Sequence, residues 1–295
     1  MSDTPTAQDL AEAIDSLNNG LFLVLTGAGI STASGIPSFR GDDNKAVWKE
    51  NPMELGTVSF FRKDPVRQWD WYLSRFQQYI GAQPNPAHFA LADLERWCNK
   101  KDKDWLLVTQ NIDTLHEDAG SEDYVKVHGT MDRYRCSGDH CRWGAPRGSI
   151  SIADVDLTAF RLSPSYEHLP RCKECESILR PHVLWFDEYY MSHQDYSMQR
   201  LMHEAQNLAL VLFIGTSFSV GITAMAMEAC NDQGVPMLSI NPAVPNAKVG
   251  GIQNIARKAE DVLPEVCEIL GIQQTAYERF VKKQNRPDRR IPRSR

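Results

Sequence analysis

Apolar residues fall along this chain in two styles, short continuous runs and positions spaced at helical intervals. Residues 8–18 put Leu10, Ile14 and Leu17 on one helical face, and Asn19-Gly20 stops that helix. Leu21 to Leu25 then run without a polar break, which predicts a buried strand. Residues 59–80 read as helical and aromatic-rich, with Phe60, Phe61, Trp69, Trp71, Tyr72, Phe76 and Tyr79. Pro84-Asn-Pro-Ala-His88 opens a further helix with Leu91, Leu94 and Trp97 inward, and Trp105–Asn111 and Tyr124–His128 read as a second and third strand. The last third repeats the alternation: helix His193–Gln206, strand Leu208–Ile214, helix through Ala224–Cys230, strand Pro236–Ile240. Strands and helices alternating in this way predict an α/β fold, a Rossmann-like doubly wound parallel sheet.

Such sheets bind ligands beyond the carboxyl ends of their strands. In this chain the strands end in Gly27-Ala28-Gly29, in Gln110, Asn111 and Asp113, in Gly215-Thr216-Ser217, and in Asn241. Glycine at a strand-to-helix turn lets backbone approach an anionic ligand, with exposed N–H groups aimed at its oxygens. The third glycine of the dinucleotide fingerprint is replaced by Thr32, so the first turn alone is ambiguous between a phosphate cradle and a tight turn. Four polar strand ends together point to a nucleotide crevice.

Composition narrows the class. Over 295 residues, 42% hydrophobic and 24% charged residues match an ordinary globular protein, and a formal charge of -6 argues against a dominant nucleic-acid surface. No apolar run reaches the length of a membrane span, and Met-Ser-Asp-Thr-Pro lacks a signal pattern, so a cytoplasmic protein without membrane contact is expected. Seven cysteines include two close pairs, Cys136/Cys141 and Cys172/Cys175, which in that setting suggest a metal site before disulfides. Two residues separate the second pair, as in a zinc knuckle, and four the first, with His140 an alternative ligand. Cys98, Cys230 and Cys267 sit in helical apolar patterns and read as core. The cysteine-bearing stretch looks like an insert; the expected division is a Rossmann-like domain (1–47, 86–135 and 176–275), a small helical and zinc-binding domain (48–85 and 136–175) and a tail (276–295). That tail, basic and holding Pro287 and Pro292, reads as disordered; it is the only segment offering a nucleic-acid or acidic partner a surface.

The motifs match a family when taken in order. Gly27-Ala-Gly-Ile-Ser-Thr-Ala-Ser-Gly-Ile-Pro37 with Phe39-Arg40, then Thr109-Gln-Asn-Ile-Asp-Thr-Leu-His116 with Ala119-Gly120, begin the series. His128-Gly129, the four cysteines, Arg180-Pro-His-Val-Leu-Trp-Phe186 and Gly215-Thr-Ser217 complete it. Over roughly residues 8–272 the chain resembles the sirtuins, NAD-dependent protein deacylases. The resemblance implies that Gly27, Ala28 and Gly29 hold the NAD phosphates and that Phe39 and Arg40 belong to a loop closing over the nicotinamide. It further implies that Gln110, Asn111, Ile112 and Asp113 line the nicotinamide and ribose pocket. Gly215, Thr216, Ser217 and Asn241 would meet the phosphate and adenosine-ribose portion. It makes His128 the general base, drawing a proton from a ribose hydroxyl, and Asn111 and Asp113 its catalytic partners. Four thiolates would hold a structural zinc, and His88, His116 and His182 read as structural.

Substrate features follow the same likeness. Val183, Trp185 and Phe186 fall where the acylated protein substrate binds. Tyr72 and Arg75, three apart on one helix face, resemble the Tyr-x-x-Arg of sirtuins that remove succinyl and malonyl groups. Three positions depart from the family pattern: Ser38 for Asp, Asp187 for the Gly after Trp-Phe, and Gly221-Ile222 in place of a segment ending in proline. The last two lie in strands that sandwich a peptide. Three readings therefore stand: NAD-dependent lysine deacylase, NAD glycohydrolase or mono-ADP-ribosyltransferase, and non-catalytic NAD-sensing module. An intact Asn111, Asp113 and His128 count against the last.

Overall fold

The computed structural model describes residues 5–37, 52–76, 79, 81–242 and 251–285. In chain order these form α1 (Ala7–Asp15), β1 (Leu21–Thr26), α2 (Pro52–Leu55), α3 (Val58–Lys63), α4 (Pro65–Phe76), α5 (Pro86–Lys100) and β2 (Trp105–Thr109). Next come α6 (Leu115–Ala119), β3 (Tyr124–Lys126), β4 (Gly129–Cys136), β5 (Ile150–Ser151), α7 (Thr158–Leu162), β6 (Leu179–Val183) and α8 (Met198–Glu204). The chain finishes with β7 (Leu208–Ile214), α9 (Gly221–Gln233), β8 (Met237–Ile240), β9 (Ile252–Ile255), α10 (Ala259–Ile269) and α11 (Ala276–Gln284).

Six strands make one sheet in the order β3-β2-β1-β7-β8-β9, all parallel. The near-continuous apolar run of β1 has its cause here: Phe22 and Val24 enter one core with α1, α5 and α10, while Leu21, Leu23 and Leu25 enter the other with α8 and α9. A sheet covered on both faces has no polar side, so alternation disappears from its central strands. The doubly wound α/β architecture expected from the pattern is present. Strand β9 carries too weak an apolar pattern, Ile-Gln-Asn-Ile, to stand out in the sequence.

Residues 129–136, 150–151 and 179–183 form a second, antiparallel sheet in the order β5-β4-β6. The smaller unit therefore reaches further into the sequence than the pattern of 48–85 and 136–175 suggests, taking β4 and β6 from the segments assigned to the larger one. Its core is aromatic: Trp69 is 1% exposed, stacks edge-on against Tyr134 and donates its Nε1–H to the Leu179 carbonyl. Cys98, Cys230 and Cys267 are buried in the main cores, as expected.

The tail needs correction in its first half. Residues 276–284 form α11, because Asp93 on α5, 3% exposed, accepts from the Ala276 amide and from Arg279. Phe280 and Tyr277 pack on Phe89 of the same helix. Of the basic residues in this helix, Arg279 turns to Asp93 while Lys282 and Lys283 are exposed. Residues 286–295 lie outside the described residues.

Candidate active site

Strand register brings the four polar turns abreast. Thr26 pairs with Thr109 and with Ile214, and Ile214 with Ile240, so Gly27, Gln110, Gly215 and Asn241 each follow the last aligned residue. The ladder carries one residue on, since Gly27 N–H donates to the Ile214 carbonyl (2.9 Å), Gln110 to Thr26 (3.0 Å) and Gly215 to Ile240 (3.1 Å). Asn241 Nδ2 donates to the Thr216 carbonyl (2.9 Å), and Gln110 Nε2 to Thr216 Oγ1 (3.3 Å), so the turns are laced together. Ser217 is exposed at the rim, its hydroxyl 2.7 Å from that of Ser219.

The first turn leads into a 3-10 helix, Ala28–Ser34. Its glycines answer to a neighbouring turn as well as to any ligand. A Cβ on Gly29 would lie 2.6 Å from Gly215 Cα, and one on Gly215, whose φ is +58°, would lie 2.5 Å from Ile30 N. Two backbone segments meet here with no room for a side chain between them. Phe39, Arg40 and Ser38 lie outside the described residues.

Asn111 (8% exposed) and Asp113 (7%) are buried in the floor of the crevice. The residue that joins them is Ser31. Its hydroxyl accepts from Asn111 Nδ2 (3.2 Å) and donates to Asp113 Oδ2 (2.9 Å), while Asn111 also donates to the Gly27 carbonyl (3.1 Å). Burial pushes the Asp113 carboxyl up, opposed by the Leu115 amide, Ser31 and the charge of Lys126. Lys126 donates to the Asp113 carbonyl, to Glu117 and to Thr130. The sequence pattern singles out neither Ser31 nor Lys126. The signal for Ser31 is its place inside the Gly-Ala-Gly-Ile-Ser motif. Lys126 alternates with apolar residues in a three-residue strand, where a lysine reads as solvent-facing. Ile112 is half-buried beside them, its carbonyl accepting from the Met131 amide.

His128 follows β3, with Gly129 next at φ +76°, where a Cβ would meet the His182 carbonyl at 2.2 Å. Its Nδ1 lies 2.8 Å from the Gln110 carbonyl. A carbonyl only accepts, so Nδ1 carries the proton and Nε2 the lone pair. Tyr190 stacks on the ring at 5.8 Å. Desolvation lowers the imidazole pKa from 6.5, with the Gln110 carbonyl opposing. The ring is therefore neutral and able to take a proton at neutral pH.

The four cysteines converge, and His140 is not among them: Sγ atoms of Cys136 and Cys175 are 3.3 Å apart, those of Cys141 and Cys172 3.7 Å, and all four lie within 4.8 Å. A tetrahedron with Zn–S bonds of about 2.3 Å has edges of about 3.8 Å, so the donor set fits zinc with no position left for water. Hydrogen bonds from Ser177 hold the Cys175 thiol down to about 6, and the Gly138 amide donates to Cys136 Sγ.

The substrate candidates are divided. Val183 and Trp185 are buried, Trp185 with Phe61 against it at 5.3 Å, whereas Phe186 is exposed. Tyr72 lines a small cleft between α4 and the 150–162 segment, with Met131, Tyr134, Leu157 and Arg161. The Tyr72 hydroxyl is buried without a hydrogen-bond partner among the described residues. Arg75 lies one turn on along α4, half-buried and outside the cleft lining, whereas Arg161, an exposed residue, is part of that lining. The Asp187 charge, expected between the peptide-binding strands, turns elsewhere: its carboxylate accepts from Val58 N (2.7 Å), Ser59 N (3.1 Å) and Ser59 Oγ (3.1 Å), capping α3. Among the described residues no helix is long and apolar enough to cross a membrane.

Known proteins repeat this arrangement. The sequence model of the Sir2 family matches residues 27–221. An NAD-dependent protein deacylase of Leptospira interrogans is 36% identical over 249 residues, covering 83% of this chain and 92% of its own. A solved Sir2 homolog–NAD complex superposes with a TM-score of 0.71 at 31% identity, over 92% of this chain and 94% of that one. A Sir2–p53 peptide–NAD+ complex does so with a TM-score of 0.70 at 25% identity, over 91% and 100%. At that breadth of match the chain belongs to the Sir2 family.

Proposed function

We propose that this protein is an NAD-dependent protein-lysine deacylase, with His128 as its general base. The observation that carries this reading is the His128 imidazole itself, tethered through Nδ1–H to the Gln110 carbonyl at the mouth of the Asn111–Ser31–Asp113 floor. Such a tether fixes both tautomer and ring orientation, leaving Nε2 to receive a proton. The relative of matched length is a protein deacylase, and the neighbouring structures hold NAD and a p53 peptide.

Bound NAD supplies the ribosyl electrophile and nicotinamide as leaving group. The turns at Gly27, Ala28 and Gly29 and at Gly215, Thr216 and Ser217 would hold its phosphates, with Asn241 and Gln110 on the riboses and Phe39 and Arg40 closing the nicotinamide side. Asn111, Ile112 and Asp113 would orient the carboxamide. The acyl oxygen of the substrate would displace nicotinamide from the ribose, and His128 Nε2 would take the proton of a ribose hydroxyl so that the hydroxyl attacks the acyl carbon. The lysine amine would leave with that proton, and one water added at the acyl carbon would complete the O-acyl product. The peptide would lie over Val183, Trp185 and Phe186, and the capping role of Asp187 leaves that track without an added free charge. The four thiolates, which need a reducing compartment, support a cytoplasmic setting.

The acyl group is proposed to be a dicarboxylic one, succinyl or malonyl, with Tyr72 a hydroxyl donor and an arginine its counter-ion. Sequence favours Arg75; the cleft lining favours Arg161. Incubation with NAD and acetyl-, malonyl- and succinyl-lysine peptides, followed by mass spectrometry, tests the whole reading. Equal amounts of nicotinamide, free lysine peptide and O-acyl-ADP-ribose are expected. Nicotinamide release indifferent to peptide would replace the reading with glycohydrolysis or ADP-ribosyl transfer, and no release with a non-catalytic module. The variants Arg75→Met and Arg161→Met assign the counter-ion: the one that lowers succinyl turnover about tenfold or more relative to acetyl turnover holds the carboxylate.

A further inference from the structure

A second cluster of metal-ligating side chains lies at the far end of β6, apart from the four cysteines. His182, the fourth residue of β6, is 1% exposed, and His193 is 2% exposed in the segment before α8. The rings meet edge to face with centroids 4.5 Å apart, and the carboxylate of Asp195 closes over them. Asp195 Oδ2 is 3.1 Å from His182 Nε2 and 3.7 Å from His193 Nδ1, and one ligand atom from each of the three residues lies within 4.8 Å of the others.

Hydrogen bonding explains only part of this arrangement. His193 Nε2 is 3.1 Å from the Gly148 carbonyl and must donate to it, so Nδ1 carries the lone pair; that lone pair accepts from the Asp195 amide (3.2 Å), a contact an ion bound there would displace. Asp195 also accepts from Ser149 Oγ, which in turn accepts from Arg133. Both His193 and Asp195 thus have the supporting contacts that usually orient metal ligands. His182 does not fit a hydrogen-bonded triad. Its Nε2 stands 3.1 Å from Asp195 Oδ2, an ion pair only when the ring is protonated, and neither ring nitrogen makes a hydrogen bond of good geometry among the described residues. A fully buried imidazole 3.1 Å from a carboxylate oxygen, with neither nitrogen hydrogen-bonded among the described residues, is an unsatisfied group that a cation would satisfy.

We infer that His182, His193 and Asp195 form a second binding site for a divalent transition metal, zinc by its donor set. With Zn–N and Zn–O bonds of about 2.0–2.1 Å, a tetrahedral site has ligand-to-ligand edges of about 3.3 Å, close to the two separations Asp195 makes. Two imidazoles and one carboxylate match the ligand preference of zinc and disfavour magnesium or calcium, which take oxygen. Asp195 is 43% exposed, so the remaining position opens to water and the ion exchanges with solvent, unlike one enclosed by four thiolates. The site would tie the 193–196 turn to β6, and the Leu184 amide at the end of that strand donates to the His128 carbonyl (2.9 Å).

Calorimetric titration of zinc chloride into the full chain, with its thiolate-bound zinc confirmed by elemental analysis, tests the site. One further equivalent is expected to bind. In Asp195→Asn and in His193→Ala the affinity for that equivalent should fall more than about tenfold, while the thiolate zinc stays at one per chain. Asp195→Asn, on the surface and isosteric, keeps the test valid if His193→Ala folds poorly, with near-UV circular dichroism checking both. No uptake beyond the first zinc, or a second equivalent bound by a folded Asp195→Asn chain as tightly as by the wild type, overturns the site.

Discussion

Ser31 carries more of the crevice than its short side chain suggests. Its one hydroxyl accepts from Asn111 and donates to Asp113, two groups that burial would otherwise leave competing for partners. Asp113 keeps the Leu115 amide without it, and Asn111 keeps the Gly27 carbonyl, so Ser31→Ala loosens the pair without emptying it. Losing a hydrogen bond to a buried carboxylate costs about 1.5–3 kcal/mol, so kcat/KM for NAD should fall roughly tenfold to a hundredfold with the fold intact. Steady-state kinetics with NAD varied measure this, and an unchanged kcat/KM would reduce Ser31 to a packing residue. Which partners a serine hydroxyl finds depends on residues some 80 positions away, and no local pattern carries that. The same holds for Asp187, whose charge reads as intrusive in the sequence and in three dimensions caps α3.

Among elements, the parallel strands are the most legible, since a continuous apolar run that stops abruptly at polar residues fits a strand covered on both faces and little else. Strand ends also reveal the site, because register alone sets Gly27, Gln110, Gly215 and Asn241 side by side. The smaller sheet is harder to read: Gly129–Cys136 and Leu179–Val183 mix arginines with apolar residues, and two of those arginines, Arg135 and Arg180, are buried on Glu188. Charges paired inside a unit look like charges at its surface when only the sequence is in hand. Helix α11 escapes the sequence pattern for a related reason, as its anchor is Asp93 on another helix. Asp93→Ala removes the acceptor for Ala276 N–H and Arg279, and should lower the free energy of unfolding by about 1–3 kcal/mol in urea titration. A midpoint unchanged by Asp93→Ala would mean that the aromatic contacts on Phe89 suffice to hold the helix.

Across the whole molecule, two units with separate cores meet where β3 hands over to β4, and His128 stands at that point, between Lys126 and Gly129. Its ring is held from the large sheet by the Gln110 carbonyl, and its own carbonyl accepts from Leu184, the residue after β6 of the small one. The crevice thus offers a cofactor floor on one side and a proton acceptor on the junction, which is what separates a reacting site from a binding one. A base acts in the chemical step, so its loss should spare NAD affinity. The decisive measurement pairs NAD titration with deacylation kinetics in His128→Ala. The account predicts an NAD dissociation constant within about threefold of the wild type and turnover of acyl-lysine peptide lower by about 10²–10⁴-fold. Turnover near the wild-type rate in a folded, NAD-binding His128→Ala protein would contradict it.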